Sequence, residues 1–210
     1  GNYPISTLLQ KPDIKEKIYQ LVKLYSEFNK PNKVLAVCKS RIEKEVSRIN
    51  DNIVTEHYNN VAGTNRYEEL YNMIILGSIY LPEKEYDRRA IYFRMNKEEI
   101  KKESSKNQII QSFGRIRSII EADKEILKIN NIEIDEEINN IGLKYSFTLN
   151  EAINVFDGTY LKMFNCNTLT SKEIHNDLKI RNKDIIEFLL NNNKLEKIND
   201  GKKISYKIKN

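Results

Sequence analysis

Residues 170–208 read TSKEIHNDLKIRNKDIIEFLLNNNKLEKINDGKKISYKI. Thr170 followed three residues on by Glu173 has the pattern of a capping box, so a helix should start there and run to about Leu178. After a short turn, Ile185, Ile186, Leu189 and Leu190 recur at helical spacing and predict a second helix from about Asn182 to Asn191. Two strand-like segments come next, Leu195–Ile198 and Ile204–Ile208. Between them Asn199-Asp200-Gly201-Lys202 supplies a hairpin turn with a glycine that tolerates positive φ. Just upstream, Leu149 to Phe156 reads as a short helix broken by Gly158.

Helix, turn, helix and β-hairpin is the order of a winged helix-turn-helix domain, here expected over residues 148–210. The second helix would be the recognition helix and the hairpin turn the wing. Arg181 and Lys183 stand at the start of that helix, Lys179 in the turn, and Lys202 and Lys203 at the wing. Such side chains contact phosphates and position a domain on DNA, single- or double-stranded. Charge points the same way. Residues 166–210 carry 10 Lys+Arg against 6 Asp+Glu, whereas residues 1–165 carry 25 against 24. Basic surface attracts polyanions through counterion release, without regard to base sequence. Beyond Arg181 and Asn182 the helix offers few base-reading side chains, so no sequence-specific site is expected. The same lysines would equally suit the solvated face of a protein-contact module.

The N-terminal part alternates short apolar runs with helical patterns. Ile14, Ile18, Leu21, Val22 and Tyr25 recur at helical spacing after Pro12. Val34-Leu35-Ala36-Val37-Cys38 is a continuous apolar run, as in a strand buried on both faces. Ser40 is placed to cap a helix through Ile49. Ile53-Val54 and Met73–Leu76 give further strands, Ala90–Arg94 an additional one, and Glu125–Ile134 a last one. Residues 97–107 read as a polar surface helix or loop, and Gln108–Ile120 as a helix. The alternation predicts an α/β fold with a parallel sheet. Residues 1–11 read as a linker, 12–137 as the lobe and 138–147 as a connector.

Composition narrows the function. No apolar run approaches the roughly 18 residues of a membrane span, and no secretory signal is visible, so a cytoplasmic protein is expected. The two cysteines, Cys38 and Cys166, form no CxxC pair, and with two histidines a zinc site is not expected. Cys38, inside an apolar run, reads as a small buried hydrophobe.

Gln111-Ser112-Phe113-Gly114-Arg115-Ile116-Arg117 resembles the sixth motif of superfamily 2 helicases, QxxGRxxR. The family's last arginine would fall at Ser118, where this chain has Arg117 one residue earlier. The stretch His57-Tyr58-Asn59-Asn60-Val61-Ala62-Gly63-Thr64-Asn65-Arg66 resembles the segment before the fifth motif in replication helicases of plasmids and viruses. Val34–Lys39 with its following helix, and Ile74–Gly77 with Leu81-Pro82, resemble the strands that frame it. The resemblance spans roughly residues 12–135, in the family's order.

It implies a RecA-like second motor lobe, so the overall expectation is a RecA-like parallel-sheet lobe followed by an α+β winged helix-turn-helix domain. Arg115 and Arg117 would be arginine-finger candidates that stabilise charge on the transferred phosphoryl group, and Gln111 would face the nucleotide. Gly114, which would let the backbone pack closely, Gly63 and Asn65 would line the nucleotide. His57, Thr64 and Arg66 would touch the nucleic-acid backbone. The chain has no GxxxxGK[ST] phosphate loop and no DExH box. ATP and Mg²⁺ would therefore bind only with a first lobe, carried by the parent protein or by a separate subunit, and this chain alone should not hydrolyse ATP. If plasmid- or virus-encoded, it would act in the host cytoplasm. The rival expectation is a non-enzymatic DNA-binding regulator or replication initiator with an N-terminal interaction domain.

Overall fold

The computed structural model describes residues 9–58, 66–77, 81–116, 124–130, 145–165, 167–201 and 203–209. They fall into two compact units, Gly1–Gly142 and Leu143–Asn210.

The first unit is α/β. Its elements are α1 (Pro12–Phe28), β1 (Val34–Cys38), α2 (Ser40–Val46), β2 (Ile53–His57), β3 (Asn72–Leu76), α3 (Glu83–Phe93), α4 (Lys97–Phe113), a 3₁₀ turn (Gly114–Ile116) and β4 (Glu125–Ile129). The four strands form one parallel sheet in the order β2-β1-β3-β4. The two central strands, β1 and β3, are buried at every position. That is why they read as unbroken apolar runs: helices and turns cover both faces of a parallel sheet. On one face Leu35, Val37, Met73 and Ile75 pack with Ile109, Phe113 and Ile116 from α4 and its 3₁₀ turn, and with Tyr58 and Tyr67. The amphipathic α1 buries Ile18, Leu21, Val22 and Tyr25. Its Tyr25 hydroxyl donates to the Glu125 carbonyl at the head of β4 (3.4 Å).

Three expectations change here. Ala90–Arg94 is no strand but the exposed end of α3. Residues 97–113 form one helix, started by Asn96, whose side chain accepts from the Glu98 N–H (2.8 Å). Lys97 and Lys101 tie that helix to Glu83 of α3 (2.8 and 3.1 Å), so a polar segment without its own apolar stripe still holds its place. Ser40 is the first helical residue of α2, not its cap; Lys39 precedes it without a capping side chain.

The second unit comprises α5 (Leu149–Phe156), α6 (Thr159–Phe164), β5 (Leu169–Thr170), α7 (Ser171–Asn176), α8 (Lys183–Asn191), β6 (Leu195–Asp200) and β7 (Lys203–Ile208). The strands make a small antiparallel sheet, β5-β7-β6. Gly158 at φ 76° ends one helix and opens the next. Two capping boxes fix helix starts: Thr148 with Glu151 on α5, and Thr170 with Glu173 on α7. Each satisfies two backbone donors that the helix leaves open. Phe188 on α8 centres the core, with Tyr145, Phe147 and Phe156 edge-on to it at 5.4 to 5.7 Å.

Among the described residues, no helix is long and apolar enough to cross a membrane.

Candidate nucleic-acid interface

The start of α8 is built from both sides. Ile180 N–H donates to the Ile174 carbonyl (3.2 Å), and Lys179 takes the left-handed conformation (φ 57°), so the chain turns sharply out of α7. A lysine in that region costs on the order of 1 kcal/mol, so the surrounding contacts must hold it. Asn182 then caps α8: its side-chain oxygen accepts from Asp184 N–H (3.1 Å). Its amide donates to the Ser146 carbonyl (2.8 Å) and to Glu151 (3.3 Å). Asp184 in turn accepts from Ser146 N–H (2.9 Å). Asn182 is therefore spent on structure, and of the two base-reading candidates only Arg181 projects outward.

Lys179, Arg181 and Lys183 are all exposed, as is Lys203 at the start of β7. The basic charge does not lie along α8, which carries one lysine against Asp184 and Glu187. It lies on the turn before α8 and on the hairpin, where Lys194, Lys197, Lys207 and Lys209 join Lys203. Among them, Lys207 pairs with Glu196 (2.7 Å) and Lys209 donates to Asn193 (3.1 Å). Hydrogen bonds from Thr170, and then the positive charge of Lys203, hold the Glu173 carboxyl below the usual range. A surface of this kind can hold phosphates, whereas the acids on α8 disfavour burying that helix deep in a groove.

The arginine turn of the first unit has the opposite character. Gln111 and Gly114 are exposed, while Arg115 is buried at 7% exposure between Phe113 and Ile116. Gly114 has ordinary helical φ (−59°), and no described atom lies within 4 Å of where a Cβ would stand. The close backbone packing expected there is absent among the described residues.

The C-terminal edge of the sheet gathers a second polar set. The order β2-β1-β3-β4 puts the topological switch between β1 and β3, where open α/β sheets tend to bind ligands. Lys39 follows β1 there, half-buried, its pKa lowered by desolvation and by Arg41. His57 at the end of β2 sits 3.5 Å from Glu43 and 3.7 Å from Glu56. Glu56 is buried and accepts from Tyr67 (2.9 Å) and from His57 N–H (3.1 Å). Tyr58 and Asn130 both donate to the Gly77 carbonyl (2.7 and 3.1 Å). His57 is thus partnered within its own edge, and Arg66 is exposed beside the Tyr67 ring (5.7 Å). Burial pushes the Cys38 thiol up to about 12, with Glu43 and Glu56 adding to the effect, so it is a packing residue.

Gly63, Thr64, Asn65, Arg117, Lys202 and Cys166 lie outside the described residues. Among the described residues no group of three or more His, Cys, Asp or Glu is placed to hold a metal ion. Reading the sequence by motif left out Lys194, Lys197 and Lys209; the charge balance after residue 165 already contained them.

No family model, curated protein or solved structure matches the chain.

Proposed function

We propose that the second unit is a winged-helix domain that holds nucleic acid by its phosphate backbone, and that the first is a RecA-like lobe of an ATP-driven helicase or translocase. The observation that carries this reading is the order α7, turn, α8, β6, β7, closed by β5 on the other side of β7, with Arg181, Lys183 and Lys203 all exposed. DNA is the expected partner. For the first unit the reading rests on a parallel sheet with its switch at β1 and β3, and on an arginine-bearing turn that precedes the edge strand β4 in the chain. ATP and Mg²⁺ enter this reading only with a first lobe, since the chain supplies no phosphate loop. Purified by itself, the chain should show no ATPase activity above background with or without DNA; robust turnover by a pure sample would overturn the lobe assignment.

The binding test uses the whole chain and a labelled duplex over a range of salt. Each phosphate contact contributes a slope of about −0.9 to log K against log salt. Replacing Arg181, Lys183 and Lys203 by alanine flattens the slope by roughly three units and weakens binding to all sequences alike. Binding without salt dependence, or a slope unmoved by the triple variant, overturns the reading.

One observation favours the rival function, a non-enzymatic regulator or replication initiator. Arg115 is buried in a turn whose neighbours Phe113 and Ile116 enter the core, as a structural arginine would be. Hydrolysis by the two-lobe parent separates the two readings.

A further inference from the structure

Residues 88–95 read RRAIYFRM, and they hold four of the five large hydrophobic side chains exposed among the described residues of the first unit. Ile91 and Tyr92 are each 81% exposed, Phe93 59% and Met95 46%. Soluble proteins seldom leave contiguous apolar groups of this size in water without a use for them. The segment closes α3. Arg94 takes the left-handed conformation (φ 54°), and Met95 N–H donates back to the Ala90 carbonyl (3.1 Å), so the four side chains stand on an ordered helix end. The Tyr92 and Phe93 rings meet edge-on at 5.0 Å, and each stays open to solvent.

Charge selects the occupant. From Arg88 to Asn96 the chain has three arginines and no acid. Arg88 and Arg89 share one carboxylate, Glu85, at 3.2 and 2.9 Å, which offsets only one of their two charges. Arg94 lies exposed on the far side of the two rings in sequence. A second copy of the chain would have to bury these like charges against each other. A polyanion carrying flat apolar groups satisfies both features at once. Bases stack on aromatic faces or on guanidinium planes, and the phosphates between them meet the arginines.

We propose that the end of α3, through Tyr92, Phe93, Arg88 and Arg94, is a stacking platform for single-stranded nucleic acid. It is a second nucleic-acid surface, on the first unit, and it does not depend on the assignment of the C-terminal unit. A duplex, whose bases are already stacked, gains nothing from the rings.

The test measures binding of the whole chain to labelled oligothymidylate and, in parallel, to duplex. Tyr92→Ala and Phe93→Ala each weaken oligothymidylate binding by about tenfold, with duplex affinity unchanged. Arg94→Gly relieves the left-handed backbone, so it holds or raises the melting temperature while still weakening oligothymidylate binding. That separates loss of contact from loss of fold. Oligothymidylate affinity unmoved by all three variants overturns the proposal. If it is unmoved while Tyr92→Ala abolishes a dimer in sedimentation, the patch joins two copies; if the variant instead releases the chain from anionic vesicles, it is a membrane contact. Failure of the Arg181, Lys183 and Lys203 variant to affect duplex binding would overturn the winged-helix reading and leave this one standing.

Discussion

Arg115 and Arg181 both follow the end of a helical segment and both stand out in the sequence, yet the fold treats them oppositely. Arg115 lies in a 3₁₀ turn whose neighbours, Phe113 and Ile116, enter the sheet's core, and it is carried inward with them. Arg181 follows a left-handed turn at Lys179 and precedes an asparagine that spends its own side chain on Ser146, Glu151 and Asp184, so the arginine is left facing water. A basic residue's exposure is set by which of its neighbours the core claims. One position can therefore act on solvent partners at once, whereas the other acts only on what is brought to it.

The sharpest way to break this contrast is hydrolysis in the two-lobe parent that the proposed function implies. If Arg115 serves as a finger, Arg115→Ala lowers the rate by about 10³-fold or more, while Arg181→Ala leaves turnover nearly intact and weakens nucleic-acid binding. Steady-state ATPase assays, with a thermal melt of each variant, decide it. An Arg115→Ala protein that melts early yet retains its hydrolysis per folded molecule marks Arg115 as structural.

A core truncation in the second unit comes next. Phe188→Ala removes the ring on which Tyr145, Phe147 and Phe156 converge, at a cost of about 3 kcal/mol or more. Hydrogen exchange should show amide protection collapsing in α8 while β1 and β3 of the other unit keep theirs. Equal loss in both would mean that the two units unfold as one.

These elements also show how far a sequence can be read. The run Val34–Cys38, the helix Leu149–Phe156 and the Thr170–Glu173 box are legible because the deciding forces are local or act on the whole run: continuous burial, or a cap three residues from its partner. The capping box at Thr148 and Glu151 obeys the same rule and was equally available. Ala90–Arg94 misleads because an apolar run implies burial only where something covers it, and here it is exposed. The helix over 97–113 rests on partners distant in sequence, the sheet's core around Ile109 and Phe113 and Glu83 on the preceding helix, and β5 is two residues long and pairs with β7. The candidate site divides in the same way. Exposure of Arg181 and Lys203 followed from turn positions, but the burial of Arg115 and the loss of Asn182 to capping depend on contacts that no spacing rule contains.

Acidification produces a smaller contrast. Burial pushes the Glu151 carboxyl up, but hydrogen bonds from Thr148 and Asn182 bring it below its ordinary value; Glu173 is held low by Thr170. Their stabilisation is complete above the unfolded glutamate value of about 4.3 and is lost as pH falls through the lower folded values. Glu125, at the head of β4, is raised by burial. It favours the folded state at low pH and loses that contribution as pH rises through its folded value. Carboxyl NMR titration should therefore find Glu151 and Glu173 below, and Glu125 above, an unstructured glutamate. Thr148→Ala and Thr170→Ala should return their partners toward the ordinary value, each costing about 1 kcal/mol as a lost cap.

The smallest effects come from two glycines. Gly201 turns the hairpin at φ 59°, where a side chain costs about 1 to 2 kcal/mol; Gly201→Ala should destabilise the second unit by that amount. Gly114 has helical φ and open space around it, so Gly114→Ala should be neutral or stabilise the first unit by up to about 1 kcal/mol. Urea titrations of both variants test the pair. The second carries more than a stability figure. Nothing described in this chain requires glycine at 114, so any need for it must come from a group that approaches from outside. If Gly114→Ala leaves stability intact but stops hydrolysis in the two-lobe parent, the space over Gly114 is kept open for nucleotide or for the opposing lobe. If hydrolysis continues unchanged, the glycine is incidental, and the resemblance of this turn to a helicase motif loses its central residue.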